Sequence, residues 1–219
     1  MAVMNLDYIP LMVKVIAHWQ QVETKTGRPL LLKDKTTIDG FTDLKDQLKA
    51  QQSARITEQN DRQRAQEERD GALKTLHPMV KQARTSLKGL TEDVLGAKAL
   101  PAFVASGSNP QKYLQAARDI AEVWATVNTA QDTALTIPVL DGQTTIEIGQ
   151  AQYVAAVDRY AAAVEALTAA QTTETLGKKT RDNLQKSAKV KLVAYPLAAK
   201  GRLADGDPLR ATIPTLSGG

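Results

Sequence analysis

The stretch YVAAVDRYAAAVEAL, residues 153–167, decides the fold class. Tyr153, Val157, Tyr160, Val164 and Leu167 follow one another at steps of four, three, four and three. That spacing places all five on one stripe of an α-helix and makes a heptad seam. Leu184, Ala188, Leu192 and Tyr195 continue it as a second seam. An earlier stretch has the same design. Leu44 and Leu48 begin a seam that Leu73, Leu76, Val80, Ala83, Leu87 and Leu90 resume. Between them the register holds Gln51, Arg55, Glu58, Arg62, Ala65 and Arg69. Two long helical stretches are expected, about residues 41–90 and 149–200. A continuous helix of ~50 residues would be roughly 75 Å long at 1.5 Å per residue. The competing reading is an αα-hairpin turning near Gly71 and Gly177, since glycine tolerates a left-handed helix end. The Glu58–Arg62 spacing favours the continuous helix. Pro78 should bend the first long helix, and Pro196 should bend or end the second.

Outward from these seams the chain contains itself twice. Tyr8, Trp19 and Val22 recur as Tyr113, Trp124 and Val127, at an offset of 105. Thr36-Thr37-Ile38-Asp39 recurs as Thr144-Thr145-Ile146-Glu147, and Arg69-Asp70 as Arg181-Asp182. Pro101-Ala102-Phe103 recurs as Pro214-Thr215-Leu216, at an offset of 113. Short insertions explain the drift. The expected units are residues 1–107 and 108–219, joined by Ser106-Gly107-Ser108-Asn109-Pro110 and packed together as one elongated antiparallel bundle. Each begins with a short amphipathic helix. The first spans Pro10 to Glu23, is ended by Gly27 and Pro29, and carries Leu11, Val15, Ile16, Trp19 and Val22. The second starts at Asn109-Pro110 as cap and first residue, and carries Tyr113, Leu114, Ala117, Ile120, Val123, Trp124 and Val127. A small β-hairpin-like segment follows in each unit, residues 29–38 and 137–146. In the second, Asp141-Gly142 is a hairpin turn signal. Asp39 and Thr42, or Glu147 and Gln150, are the expected caps of the long helices. The fold class is therefore all-α with minor β. The start, Met1 to Trp19, reads as a strand or loop leading into a helix and not as a signal peptide, and Ser217-Gly218-Gly219 as a disordered tail.

Composition narrows function by exclusion. With no cysteine among 219 residues, disulfides, thiolate metal sites and cysteine catalysis are excluded. No apolar run reaches the ~18 residues of a membrane span, so membrane insertion is not expected and a cytoplasmic location is the default. His18 and His77 are unduplicated and form no His-x3-His or similar ligand pair; a structural role is expected for His18. No nucleophile elbow, phosphate loop or Glu-x-x-His pair is present. Asp39 and Glu147 are read as helix-start residues before they are read as an acid–base pair. No catalytic residue, metal or cofactor is expected, and a carboxylate-only enzyme is the third-ranked reading.

The net charge of +4 is concentrated late, with nine Lys or Arg against three Asp between Lys178 and Arg210. Few aromatics interleave with this run, so a stacking platform for single strands is missing and nucleic acid is only weakly indicated. The duplication, the long helices and the paired apolar tails point to a non-enzymatic structural or scaffolding protein. The expected behaviour is self-association into a filament, tube or shell, as a homo-oligomer or with other proteins. The alternative is an adaptor that meets an anionic partner through the basic helix 178–210. Candidate interaction residues are Lys178, Lys179, Arg181, Lys186, Lys189 and Lys191 on that helix, and Pro101, Phe103, Pro214 and Leu216 in the tails.

Overall fold

The computed structural model describes residues 8–94, 100–132, 134–141 and 144–216. Gly142 of the expected turn, the lead-in before Tyr8 and the tail from Ser217 lie outside them. The chain is mostly helical, with one two-stranded antiparallel sheet. Helix α1 spans Ile9–Thr26, α2 Ile38–Val94 and α3 Pro110–Gln131. Strands β1 (Thr136–Asp141) and β2 (Thr144–Gly149) precede α4 (Gln150–Arg202) and the short α5 (Pro208–Ala211). Both long helices are continuous, at 57 and 53 residues, and Pro78 and Pro196 lie inside them. Pro196 does not end α4.

Helix ends obey local chemistry. Pro10 lies in the first turn of α1, where a missing N–H leaves no bond unmade. Gly27 ends that helix at φ 62°, its N–H donating to the Glu23 carbonyl. Asn109 caps α3 by accepting from the Gln111 N–H at 2.9 Å. The cap of α2 is Thr37, whose Oγ1 accepts from the Gly40 N–H at 3.2 Å, in place of Asp39 or Thr42. Thr42 instead donates back to the Ile38 carbonyl. At the start of α4 the Gln152 side chain accepts from the Gly149 N–H at 2.9 Å, the reciprocal half of a capping box. Gln150 donates to the Ala121 carbonyl and accepts from Asn128, tying α4 to α3.

The two extended segments differ. In the second, Ile137 pairs with Ile148 and Val139 with Ile146, and Ile137, Val139 and Ile148 are buried. The first contains no strand. Leu32 closes a tight turn, its N–H donating to the Thr36 carbonyl and its carbonyl accepting from the Lys35 N–H, with Lys35 at φ 64°. Helix α2 then starts at Ile38, leaving no room for a returning strand. The repeated Thr-Thr-Ile is therefore a helix entry only in the first copy. Thr144-Thr145-Ile146 lies within β2, and α4 begins four residues later than that match implies.

The chain divides into two compact units that cut across the expected repeat boundary. One is residues 1–59 with 173–219, the other residues 60–172. Helices α2 and α4 each contribute to both. In the first unit the core gathers Met12, Val15, Trp19 and Val22 of α1, Phe41, Leu44 and Leu48 of α2, and Ala188, Leu192, Tyr195 and Ala199 of α4. Trp19 stacks on Tyr195 at 5.2 Å and tilts against Phe41 at 5.9 Å. Leu11 and Ile16, expected on the stripe, are half-buried, while Met12 takes the core position. In the second unit Leu76, Val80, Ala83 and Leu87 of α2 pack with Tyr113, Ile120 and Trp124 of α3, and with Tyr153, Val157 and Tyr160 of α4. Trp124 meets Tyr153 at 5.6 Å, and Tyr113 meets Tyr160 edge-on at 5.8 Å. The seam of residues 153–167 is buried throughout.

Candidate interaction surface

From Lys186 to Lys200, about four turns, α4 has two chemically opposite faces. Ala188, Leu192, Tyr195 and Ala199 step by four, three and four and are buried in the first unit's core. At 3.6 residues per turn, Lys186, Lys189, Val190, Val193, Leu197 and Lys200 fall within an arc of about 100° on the other side. All six are exposed. The aliphatic members are among the most exposed in the chain: Val190 at 67%, Val193 at 57% and Leu197 at 75%. Their spacing of three and four is that of one heptad seam, here without a covering helix in this chain's described residues. No Asp or Glu occurs from Asn183 to Ala204; Asp182 lies on the same arc one turn before Lys186.

The basic residues expected to act together are divided by the fold. Lys178, Lys179, Lys186 and Lys189 are exposed. Arg181 turns inward and pairs with Glu58 of α2 at 2.6 Å, the two side chains only 11% and 13% accessible. Gly177 lies one turn away on α4, and a Cβ there would fall 2.6 Å from Glu58 Cδ. The glycine is a clearance for that carboxylate, where its sequence position had raised a turn. Lys191 donates to Asp34 and to Thr36 Oγ1, closing the turn before α2. The Lys191 ammonium first, and Thr36 second, through its side chain and through its N–H donating to Asp34 Oδ1 at 3.1 Å, pull the Asp34 carboxyl down to about 2.

The tails are occupied by their own units. Arg84 Nε donates to the Pro101 carbonyl at 3.0 Å, while Leu100 and Val104 lie on the second core. Ile213 is buried in the first core and Leu216 packs beside it. Pro101 and Pro214 are half-buried, and Phe103 is 49% exposed, with its ring 6.1 Å from that of His77.

Both histidines hold structure. His18 is 4% exposed. Its Nε2 donates to the Leu209 carbonyl at 2.8 Å, so in the neutral ring Nδ1 accepts from the Tyr195 hydroxyl at 2.6 Å. One side chain thus joins α1, α4 and α5. His77 Nδ1 lies 3.1 Å from the Tyr113 hydroxyl. Burial pushes the hydroxyls of Tyr113, Tyr153, Tyr160 and Tyr195 above the usual phenol range. Among the described residues no three His, Asp or Glu group at metal-binding distance, and no helix is long and apolar enough to cross a membrane. A groove of about 460 Å³ between α1 and the start of α2 is lined by Ile9, Val13 and Ile56, with Lys45, Asp46 and Lys49 at its edge.

The aliphatic face of α4 was open to sequence reasoning. Once Leu184, Ala188, Leu192 and Tyr195 define the buried side, Val190, Val193 and Leu197 must fall opposite. Comparison with known proteins found no matching family, no matching curated protein and no matching solved structure.

Proposed function

We propose that this chain is a non-enzymatic helical scaffold that works by presenting a helix surface to another protein. The observation that carries this reading is the exposed Val190-Val193-Leu197 seam beside a core already closed on the other side of the same helix. Three aliphatic side chains at coiled-coil spacing gain by burial against a second helix. The lysines around them favour the adaptor over self-assembly. The tails, engaged in their own cores, leave less surface for tail-mediated association than their sequence suggests. Self-association is the second reading, favoured by the apolar floor of the groove at Ile9, Val13 and Ile56.

We also read the chain as a duplication. Trp19–Phe41 and Trp124–Tyr153 are ring pairs at matching places. Glu23 and Asn128 each accept from an amide seven residues on, Leu30 and Leu135. These pairings support two copies that exchange the far halves of their long helices.

Sedimentation over a wide concentration range separates the two readings. A monomer throughout excludes self-assembly, whereas growth in mass abolished by Leu197→Ser assigns the face to a second copy. A photo-crosslinker placed at Val193 should yield a discrete adduct in the source cells that one at Glu122, exposed on α3, does not; equal labelling from both positions would sink the proposal.

A further inference from the structure

We infer that the outward face of α4 docks an acidic amphipathic helix of another protein. The inference rests on the scaffold reading and names its partner's chemistry. The seam Val190, Val193 and Leu197 supplies knobs at a, d and a positions, and Leu197 is 75% exposed. Lys186 and Lys200 occupy the d positions on either side, and Lys189 flanks the seam at g. Lys191 and Arg202, the other cations of the segment, are already held, by Asp34 and by the Pro29 carbonyl. Asn183 to Ala204 holds no acid, so the one carboxylate on the arc is Asp182, a turn before Lys186, and Lys189 and Lys200 have none beside them.

A second copy of this face is a poor occupant. Pairing it with itself brings Lys186, Lys189 and Lys200 from both copies along the seam against a single acid per copy, Asp182 at one end, so like charges outnumber opposite ones and the pairing is disfavoured. A lipid surface is also a poor match, because the face has no Trp, Tyr or Phe to seat in the interface. A helix with aliphatic residues at its own a and d positions and Glu or Asp beside them satisfies both the seam and the lysines.

The test uses the full chain and two synthetic helical peptides, each with Leu at a and d. One carries Glu at e and g and the other Lys. Binding is followed by fluorescence anisotropy, with vesicles of phosphatidylserine and phosphatidylcholine as a third arm. The Glu peptide should bind, weaken with salt, and lose affinity about tenfold or more in Lys186→Glu/Lys189→Glu and in Leu197→Ser. Those positions are exposed, and circular dichroism checks that each variant keeps its helices. Equal binding of both peptides, lost in Leu197→Ser, overturns the acidic preference while the docking face stands. Glu-peptide binding unaffected by every variant overturns both the inference and the scaffold reading. Vesicle binding in the absence of peptide binding overturns the inference in favour of a membrane surface.

Discussion

Removing the Glu23 carboxylate should loosen α1 from the extended segment that follows it. Glu23 Oε1 accepts from the Trp19 indole N–H at 2.9 Å and from the Leu30 N–H at 2.8 Å. Trp19 is fully buried and Leu30 is 4% exposed, so neither donor finds easy access to water when the acceptor goes. Each stranded donor costs roughly 1–3 kcal/mol. Glu23→Ala gains a few tenths in helix propensity, which is too small to offset this. The expected net loss is about 3 kcal/mol, or roughly 6–12 °C in Tm for a chain of this size. Glu23→Gln keeps an oxygen at the same reach and should lose about 1 kcal/mol or less, the charged acceptor becoming neutral. The assay is urea unfolding in a Trp124→Phe background, where Trp19 is the sole indole because the chain has two tryptophans. Equal losses for Ala and Gln would refute the reasoning, because packing and not the shared acceptor would then be at work. So would a loss for Ala of under about 0.5 kcal/mol, the size of an ordinary surface change.

The equivalent position in the second copy gives the converse. Asn128 is one methylene shorter and spends its oxygen on the Leu135 N–H, and the buried Trp124 indole N–H has no partner among the described residues. Asn128→Gln should reach both donors and raise stability by about 1 kcal/mol in thermal unfolding; a loss would show the site lacks room. Gly177→Ala should cost about 1 kcal/mol, the displaced Glu58–Arg181 pair outweighing the helix propensity that alanine adds. In a Glu58→Ala background the same change should stabilise, and stabilisation in both backgrounds would dismiss the clearance role. Asp34, drawn down to about 2, adds stability that is present above the unfolded carboxyl value and lost as pH falls from about 4 towards 2. Asp34→Asn should flatten the acid limb of a stability–pH curve, modestly because the aspartate is half exposed. The buried tyrosines act at the other end: their folded values lie above the unfolded value of about 10, so their contribution is lost as pH rises past it. Tyrosinate absorbance and loss of helical dichroism should rise together above that pH, and tyrosine titration ahead of unfolding would contradict the burial.

The seam of residues 153–167 was legible because a buried helix repeats its apolar side chains at a fixed step. Pro10, Gly27 and the Asn109-Pro110 pair were legible because capping is a local transaction. The first extended segment misled for a physical reason. Leu30-Leu31-Leu32 has strand-like character, but Thr37 caps a helix at once and the chain has no length left to pair. The Thr-Thr-Ile match misled because identity at a fixed offset says nothing of a four-residue slip between turn and helix. Glu58, Arg181 and Gly177 were each visible as residues, yet Gly177 reads as a turn candidate until the carboxylate beside it is placed. Which half of one long helix packs on which half of the other was not legible. A heptad pattern states that a face is buried and leaves its partner open.

The division of the chain has a consequence for synthesis. Residues 60–172 are contiguous, so that unit has all its parts as soon as α4 has emerged as far as Thr172. The other unit must wait: His18 and Trp19 meet Tyr195 only some 177 residues later. On the ribosome α1 would therefore spend most of translation with Met12, Trp19 and Val22 covered only from the side of Phe41, Leu44 and Leu48, without the α4 part of their core, at an elongation rate of about 5–20 residues per second. The order of closure is set by the chain's path, with the middle first and the two ends last, and the N-terminal segment is the one exposed to chaperones and aggregation while it waits.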